Sequence, residues 1–525
     1  MKRCLSFSGR WAILMLAGAG FAVWPAASVY AQTRTVLIER ADSLSGTEQA
    51  GEAIRRLIGN VRLRQDEAIL EADEATEYAA RNEILFFGNV RIVNTPDTLT
   101  AERVRYDTQT RIGEANGNVR LSDGDVVLSA PTGTYDRARR FAVFDAGVTL
   151  IDSTSTLTSL RGRYDANTKV AQFDGNVRLE QENLWLAADS VTHFREVDVS
   201  DARGVVLLRR LTVPDTARTA VQADTLEPIA VRPDTLQVGS VLAVVPSLAD
   251  SLGWTERTML FGRRIRNDRK LGRTLVEGRP LLVRERVNGN RIDTLIVSAG
   301  RLTSLDTDSL SWVRAIDSVR VWQPDLAALA DSAAYEQEAG APELLSLFQR
   351  PVLWVQASQI VGDTIRVDVR DRKPQRLRVN GAAFLGREDS LLSRIQQMQG
   401  GQMIGEFDAD TLRNLALFPN AEAIYFRTED EELAGAVRLT ADRLDFRFAG
   451  GELDRMTGKR GIEGRYFEAE AIPSPFQLPR FTWTPERRPS LPQLLIGLDP
   501  WYGLIQEAGR RSPARAGPSL SLSGF

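Results

Sequence analysis

The sequence predicts an all-β fold made by stacking one short unit many times. Three observations carry this: a unit that returns about every 29 residues, a tyrosine that returns in phase with it, and a hydrophobic period of two inside it. Gly59-Asn60-Val61-Arg62-Leu63 recurs as Gly88-Asn89-Val90-Arg91-Ile92, Gly117-Asn118-Val119-Arg120-Leu121 and Gly175-Asn176-Val177-Arg178-Leu179. Gly147-Val148-Thr149-Leu150 and Gly204-Val205-Val206-Leu207 are shortened copies, and the glycines step by 29, 29, 30, 28 and 29 residues. Tyr78, Tyr106, Tyr135 and Tyr164 step by 28, 29 and 29, and His193 falls where the next tyrosine is due.

Along the chain, residues 1–31 read as a signal peptide: Met1, Lys2, Arg3 and Arg10 precede an apolar run from Trp11 to Val23, and Val29-Tyr30-Ala31 suits cleavage before Gln32. Cys4, the only cysteine, lies in that segment, so the mature chain is expected to have neither disulfide nor thiol chemistry. After Gln32 no apolar run is long enough to span a bilayer.

Residues 32–210 form the first β-repeat domain. Val90 and Ile92 point one way and Arg91 the other, and the same alternation holds for Val119 and Leu121 against Arg120, and for Val177 and Leu179 against Arg178. The Gly-Asn pair suits a turn needing positive φ. Segments such as Leu99 to Tyr106 read as a second strand, and Arg140 to Phe144 as a third. One unit cannot bury its own apolar face, so copies are expected to stack into a solenoid, valine over valine on neighbouring rungs about 4.8 Å apart, giving a continuous apolar trough.

Residues 211–262 break the pattern. Pro214-Asp215-Thr216, Asp224-Thr225-Leu226-Glu227-Pro228 and Pro233-Asp234-Thr235-Leu236 mark a disordered insertion or linker. The basic run Arg263, Arg264, Arg266, Arg269, Lys270 and Arg273 reads as a solvated strand face. Residues 263–470 form a second, divergent repeat region. In it Ser318-Val319-Arg320-Val321 is followed by Tyr335 at the same sixteen-residue offset, and Ala330-Asp331-Ser332 matches Ala188-Asp189-Ser190. Strands are expected at Pro351 to Val355, Arg376 to Leu385 and Ala423 to Phe426. Whether this region continues the first stays open. Residues 471–525, with Pro473, Pro475, Pro479, Pro485 and Pro489, read as an irregular tail against the last rungs.

Composition narrows function. A net charge of −3 over 525 residues gives no bulk attraction to nucleic acid or to an anionic membrane. His193 is the only histidine, which argues against a metal or haem site and a catalytic triad, so neither cofactor nor metal is expected. Asp73, Glu102 and Asp189 lie near one repeat position, and paired carboxylates on a solenoid would suit glycoside hydrolysis; a polysaccharide enzyme is the weakest of three readings. Arg62, Arg91, Arg120 and Arg178 share one repeat position and read as a solvated face neutralised by nearby acids.

The Gly-Asn-Val units at 59–61, 88–90, 117–119 and 175–177, with their intervening Ala-Asp and Tyr-Asp elements, resemble the OstA-like proteins. These include the periplasmic bridge component of lipopolysaccharide transport and the N-terminal domain of its outer-membrane partner. The resemblance implies a folded-over sheet, a β-jellyroll or β-taco, whose interior holds acyl chains. It implies a non-enzymatic periplasmic carrier moving lipopolysaccharide toward the outer membrane, with end strands pairing with further copies of itself or with other envelope transport components. The lipid-binding interior would then be Val61, Leu63, Val90, Ile92, Val119, Leu121, Val148, Leu150, Val177 and Leu179. The chain departs from the simplest members in its length, its insertion and its tail, and it has too little sequence left for a large barrel. From the residues alone, a solenoid filled by its own side chains remains the alternative. That would be a structural envelope-assembly scaffold binding proteins by strand addition.

Overall fold

The computed structural model describes residues 36–213 and 254–510, apart from 50, 308, 371–372, 390, 409–410, 430 and 451. The expected signal peptide, Cys4 and residues 214–253 of the expected insertion lie outside the described residues; residues 211–212 and 256–262 of that insertion are instead parts of strands Val199–Thr212 and Glu256–Asp268. The rest is a stacked all-β jellyroll: thirty-four strands joined in one antiparallel sheet.

The chain meanders. Strand Glu52–Gln65 pairs with Ala68–Tyr78, which pairs with Glu83–Asn94, and so on to the end. The repeat is therefore an out-and-back pair of strands. Val61 faces Ala72, Val90 faces Ala101 and Val119 faces Ala130, so successive valines are two strands apart, about 9.6 Å. This corrects the expectation of valines on neighbouring rungs: one residue per returning strand lies between them.

Gly-Asn also has a different place from the one expected. It is a crease in mid-strand and not a hairpin turn. Gly88 (φ +70°) and Asn89 (φ +46°) are both left-handed, and the register slips there between Phe87 and Val90. A Cβ on Gly88 would collide with the Asp73 carboxylate of the neighbouring strand. Asn89 Nδ2 donates to that carboxylate at 2.9 Å; Asn60 donates to Asp42 at 2.9 Å and Asn118 to Glu102 at 2.5 Å. Each strand folds over at its crease, so the sheet closes on itself as two layers with a shared interior.

Two ladders line that interior. In one layer Leu63, Leu70, Ile92, Leu99, Leu121, Leu128, Leu150, Leu157, Leu179, Leu186, Leu208 and Leu260 are successive cross-strand partners. The pairing of Leu208 with Leu260 carries it straight across the sequence break, and it runs on through Leu353, Ile360, Leu385 and Met398 to Ala423. The opposite layer supplies Leu57, Ala75, Phe86, Val104, Ala115, Gly133, Phe144, Gly162, Phe173, Val191, Ala202 and Ile265 in the same way. The two ladders form one apolar cluster from Leu57 to Phe446.

The segment after Glu468 runs back along the outer face of the leucine-ladder layer. Buried Gln397 accepts from the Leu478 amide (2.8 Å) and donates to the Phe476 carbonyl (3.2 Å); Gln359 does the same for Thr484 (2.8 Å) and Thr482 (3.0 Å). Amide side chains thus replace a neighbouring strand for an extended segment whose prolines cannot complete a ladder. Beyond helix Leu491–Leu495, Trp501 packs edge-on against Phe261 with Trp185, Leu207 and Met259, and its Nε1 donates to Val206 O at 2.9 Å. Helix Tyr502–Arg510 then brings Glu507 to Arg178 at 2.9 Å. The tail does pack against the last rungs, Leu478 and Phe476 against Ile424, Phe426 and Ala436, and then continues as a strap to the middle of the sheet, where Trp185, Leu207, Met259 and Phe261 present an apolar outer patch.

Candidate functional site

The open side of the folded sheet is fastened by polar clasps between the ends of its two layers. Tyr106 Oη donates to Gln65 Oε1 at 2.5 Å, Tyr135 Oη to Asp97 at 3.1 Å and Tyr164 Oη to Asp123 at 3.0 Å. Arginines complete each clasp: Arg137 and Arg111 on Asp66 (2.8 and 2.5 Å), Arg140 on Asp97 (2.8 Å), and Arg195 on Asp123. The repeat makes this series, since each tyrosine lies about forty residues after the turn it meets.

The three tyrosines, Gln65, Asp97 and Arg137 are buried and Asp123 and Arg195 partly so, which strengthens the bonds and sets their ionisation. Burial, then the neighbouring carboxylate, pushes Tyr135 and Tyr164 up to about 12. Burial alone would raise Asp123, but the bonds from Arg195 and Tyr164 outweigh it and hold the carboxyl below its usual range.

The series stops at His193. The tyrosine row continues by cross-strand pairing from Tyr164 through Ala171 to His193, Ser200, Asn267, Thr274 and Ser304. None of these meets the other layer in a hydrogen bond. His193 Nδ1 bonds instead to Ser200 Oγ at 3.0 Å, and Asp152, the turn due to meet it, accepts from its own Thr154 and Ser155. Burial holds the His193 imidazole below its usual range, so the neutral ring is favoured.

Behind this row lies a cavity of about 990 Å³. Its walls are Leu150, Leu157, Leu179, Leu186 and Leu208 from one ladder and Phe173, Val191, Ala202 and Ile265 from the other. The cause is in the second ladder. Phe86, Phe144 and Phe173 fill the interior up to that point, and the phenylalanine rings lie over Gly133 and Gly162. After Phe173 come Val191 and Ala202, which leave space. Across the mouth Arg210 reaches Asp306 at 3.5 Å, an exposed pair.

The ten sequence-predicted interior residues divide accordingly. Val61, Leu63, Val90, Ile92, Val119, Leu121, Val148 and Val177 are inward and at most 4% exposed, packed in the core. Leu150 and Leu179 line the cavity. Leu157 and Leu186 escape a reading of the sequence because they sit on the returning strands, which lack the Gly-Asn marker, and Leu208 because it falls just beyond the shortened copy Gly204-Val205-Val206-Leu207. The one signal pointing to them is His193 in a tyrosine's place.

The candidate carboxylates have another use. Asp73 and Glu102 hold the crease asparagines, and Asp189 accepts from the Val205 amide at 3.0 Å. Arg62 pairs with Glu39 and Glu71, Arg91 with Glu71, and Arg178 with Glu507. Among the described residues no group of three or more His, Cys, Asp or Glu side chains could hold a metal ion, and no helix is long and apolar enough to cross a membrane.

Residues 33–189 match the OstA-like protein family. The OstA-like match ends within strand Leu184–Phe194, at its crease, while the pairing continues unbroken into Val199–Thr212. No curated protein sequence matches the chain. Among solved structures, the chain is similar to LptH of Pseudomonas aeruginosa, described as the LptA-homologous periplasmic component of a lipopolysaccharide transport device. Identity is 13%, the match covers 26% of this chain and 81% of that one, and the TM-score is 0.14, too low for the likeness to carry an argument.

Proposed function

We propose that this chain is an exported, periplasmic, non-enzymatic carrier that shelters the acyl chains of lipopolysaccharide between its two layers on the way to the outer membrane. The observation that carries the reading is an apolar interior with open room in it, continuous with an OstA-like stretch. Each CH₂ moved from water into such a space gains about 0.8 kcal/mol, so several acyl chains supply ample driving force without a fixed pose. The expected outcome is that the purified mature chain takes up labelled lipopolysaccharide saturably and loses it to unlabelled competitor. Absence of uptake at micromolar protein would remove the carrier reading.

A second reading has its own support. Strands Leu37–Arg40 and Ser43–Gln49 pair on one side only among the described residues and are exposed throughout, which suits strand addition by another copy or another envelope protein. A scaffold of that kind would form concentration-dependent oligomers and bind no lipid.

A further inference from the structure

We infer that the unclasped stretch between Tyr164 and Tyr335 is a side door for an acylated lipid, and that the chains lodge there and not along the clasped interior of residues 57–145; this rests on the carrier reading above. Two rows change together at this place. In the row at the mouth, tyrosine gives way to His193, Ser200, Asn267, Thr274 and Ser304, all of which line the cavity, and the row then returns to bulk at Val313 and Tyr335. In the deeper row, phenylalanine gives way to Val191 and Ala202. Loss of the clasp alone would leave an unlatched but filled seam, and loss of the rings alone would leave a sealed void. Losing both within the same strands gives a void with a mouth.

The chemistry of the mouth fits an amphiphile. The deep walls, from Leu157 to Phe173 and Ile265, are apolar, so they take hydrocarbon, while the outer lining is polar; about 990 Å³ lies at the upper end of the roughly 300–1,000 Å³ usual for ligand sites. The rim carries Asp152, His193, Arg210, Arg269 and Asp306, which keep a polar headgroup outside in water. The cross-mouth ion pair among the described residues, Arg210 with Asp306, has side chains 54% and 63% exposed. Exposed pairs of that kind hold with about 0–1 kcal/mol, so the door parts easily. By contrast, the buried tyrosine clasps keep residues 57–145 shut and filled.

Wall and strap meet here as well. Leu186 and Leu208 line the cavity, while their neighbours Trp185 and Leu207 face outward under Trp501. The strap therefore braces the wall of this open stretch.

The test uses the mature full-length chain with a photoreactive benzoylphenylalanine at Leu157 or Ala202, or at Leu70 or Val104 in the closed stretch. One arm is given radiolabelled lipopolysaccharide and the other phosphatidylglycerol vesicles. Lipid adducts at least tenfold stronger at Leu157 and Ala202 are expected. Lipopolysaccharide adducts of equal strength at all four sites overturn the door and leave the carrier reading standing. No adduct and no uptake of either lipid overturn both. Adducts at Leu157 and Ala202 from phosphatidylglycerol alone support the door and remove lipopolysaccharide as the cargo. A second variant, His193→Tyr, restores the missing tyrosine opposite Asp152 and should cut uptake at least fivefold with the melting temperature held. Unchanged uptake in that variant overturns the door even where a bulky probe in the closed stretch prevents folding.

Discussion

Residues 57–145 and residues 150–306 share one frame and differ in what stands across from the leucine ladder. Both have the same crease, the same out-and-back pairing and leucine after leucine along one layer. In the first stretch the facing row holds Phe86 and Phe144, and tyrosines latch the mouth; in the second, past Tyr164 and Phe173, it holds Val191 and Ala202, and the mouth row is small and polar. A folded sheet is therefore neither a trough nor a filled core by architecture. Two positions per strand decide which, and this chain uses both settings.

The largest effect should come from emptying the filled stretch. Phe144→Ala removes a fully buried ring packed over Gly133 and should cost about 4 kcal/mol, read as a shift in the urea midpoint. Leu70→Ala, on a fully buried side chain, should cost nearly as much. Leu186→Ala, whose side chain already borders open space, should cost about 2 kcal/mol. Equal losses for Leu70→Ala and Leu186→Ala would show the two stretches to be packed alike.

Next comes the shared frame. Gly88→Val puts a branched side chain at φ +70° and into the Asp73 carboxylate, and Gly204→Val does the same at φ +97° into Asp189. Each should cost about 3 kcal/mol, one in each stretch, by the same denaturation measurement. A tolerant crease in either stretch would break the claim that both are folded the same way.

Part of this frame is legible in the amino-acid sequence. The 29-residue period and the period of two identify stacked strands with Val61 to Val177 turned inward, since burial on one face demands that alternation. The crease is not legible as a crease: Gly-Asn fits a tight turn equally well, and only the partner across the strand, Asp73 for Gly88, tells them apart. The cavity is harder still. It depends on Val191 and Ala202 facing Leu186 and Leu208 across the fold, and these are two arms of the same strands that oppose each other only because of the crease, which the sequence does not mark as one. The strap is hidden for a different reason, because a proline-rich segment held by Gln359 and Gln397 has no periodicity to read.

A smaller effect is expected from the latch. Tyr164→Phe deletes the bond donated to the Asp123 carboxylate and the one accepted from Arg195, and leaves the Arg195–Asp123 pair, so stability should fall by about 1.5 kcal/mol. His193→Phe should cost less than Tyr164→Phe, since His193 bonds only within its own layer to Ser200. The two urea midpoints, compared side by side, separate a position that joins the layers from one that does not.

The smallest effect is a difference in pH response between clasped and unclasped turns. Tyr164 is pushed up to about 12, so the folded chain holds its phenolic proton more tightly than the unfolded chain, where tyrosine titrates near 10. The clasp's contribution is then complete below about pH 10 and is lost as pH rises toward 12, because over that window the unfolded state has already released the proton. At the acid end the sign reverses. Asp123 is held low, so its contribution is complete above about pH 4 and is lost as pH falls through its lowered value. Tyrosinate absorbance should therefore show a late component that Tyr164→Phe removes. Spin labels at Asp125→Cys and Val197→Cys, on exposed turns beside the clasp, should move apart over the same window. A pair at Ser153→Cys and Leu271→Cys, flanking the open mouth, should show no change there, because the nearby His193 has finished titrating far below it and no tyrosine holds those turns together. Equal separation of both pairs would mean that the layers part through some general loosening, and the tyrosines would lose their role as latches.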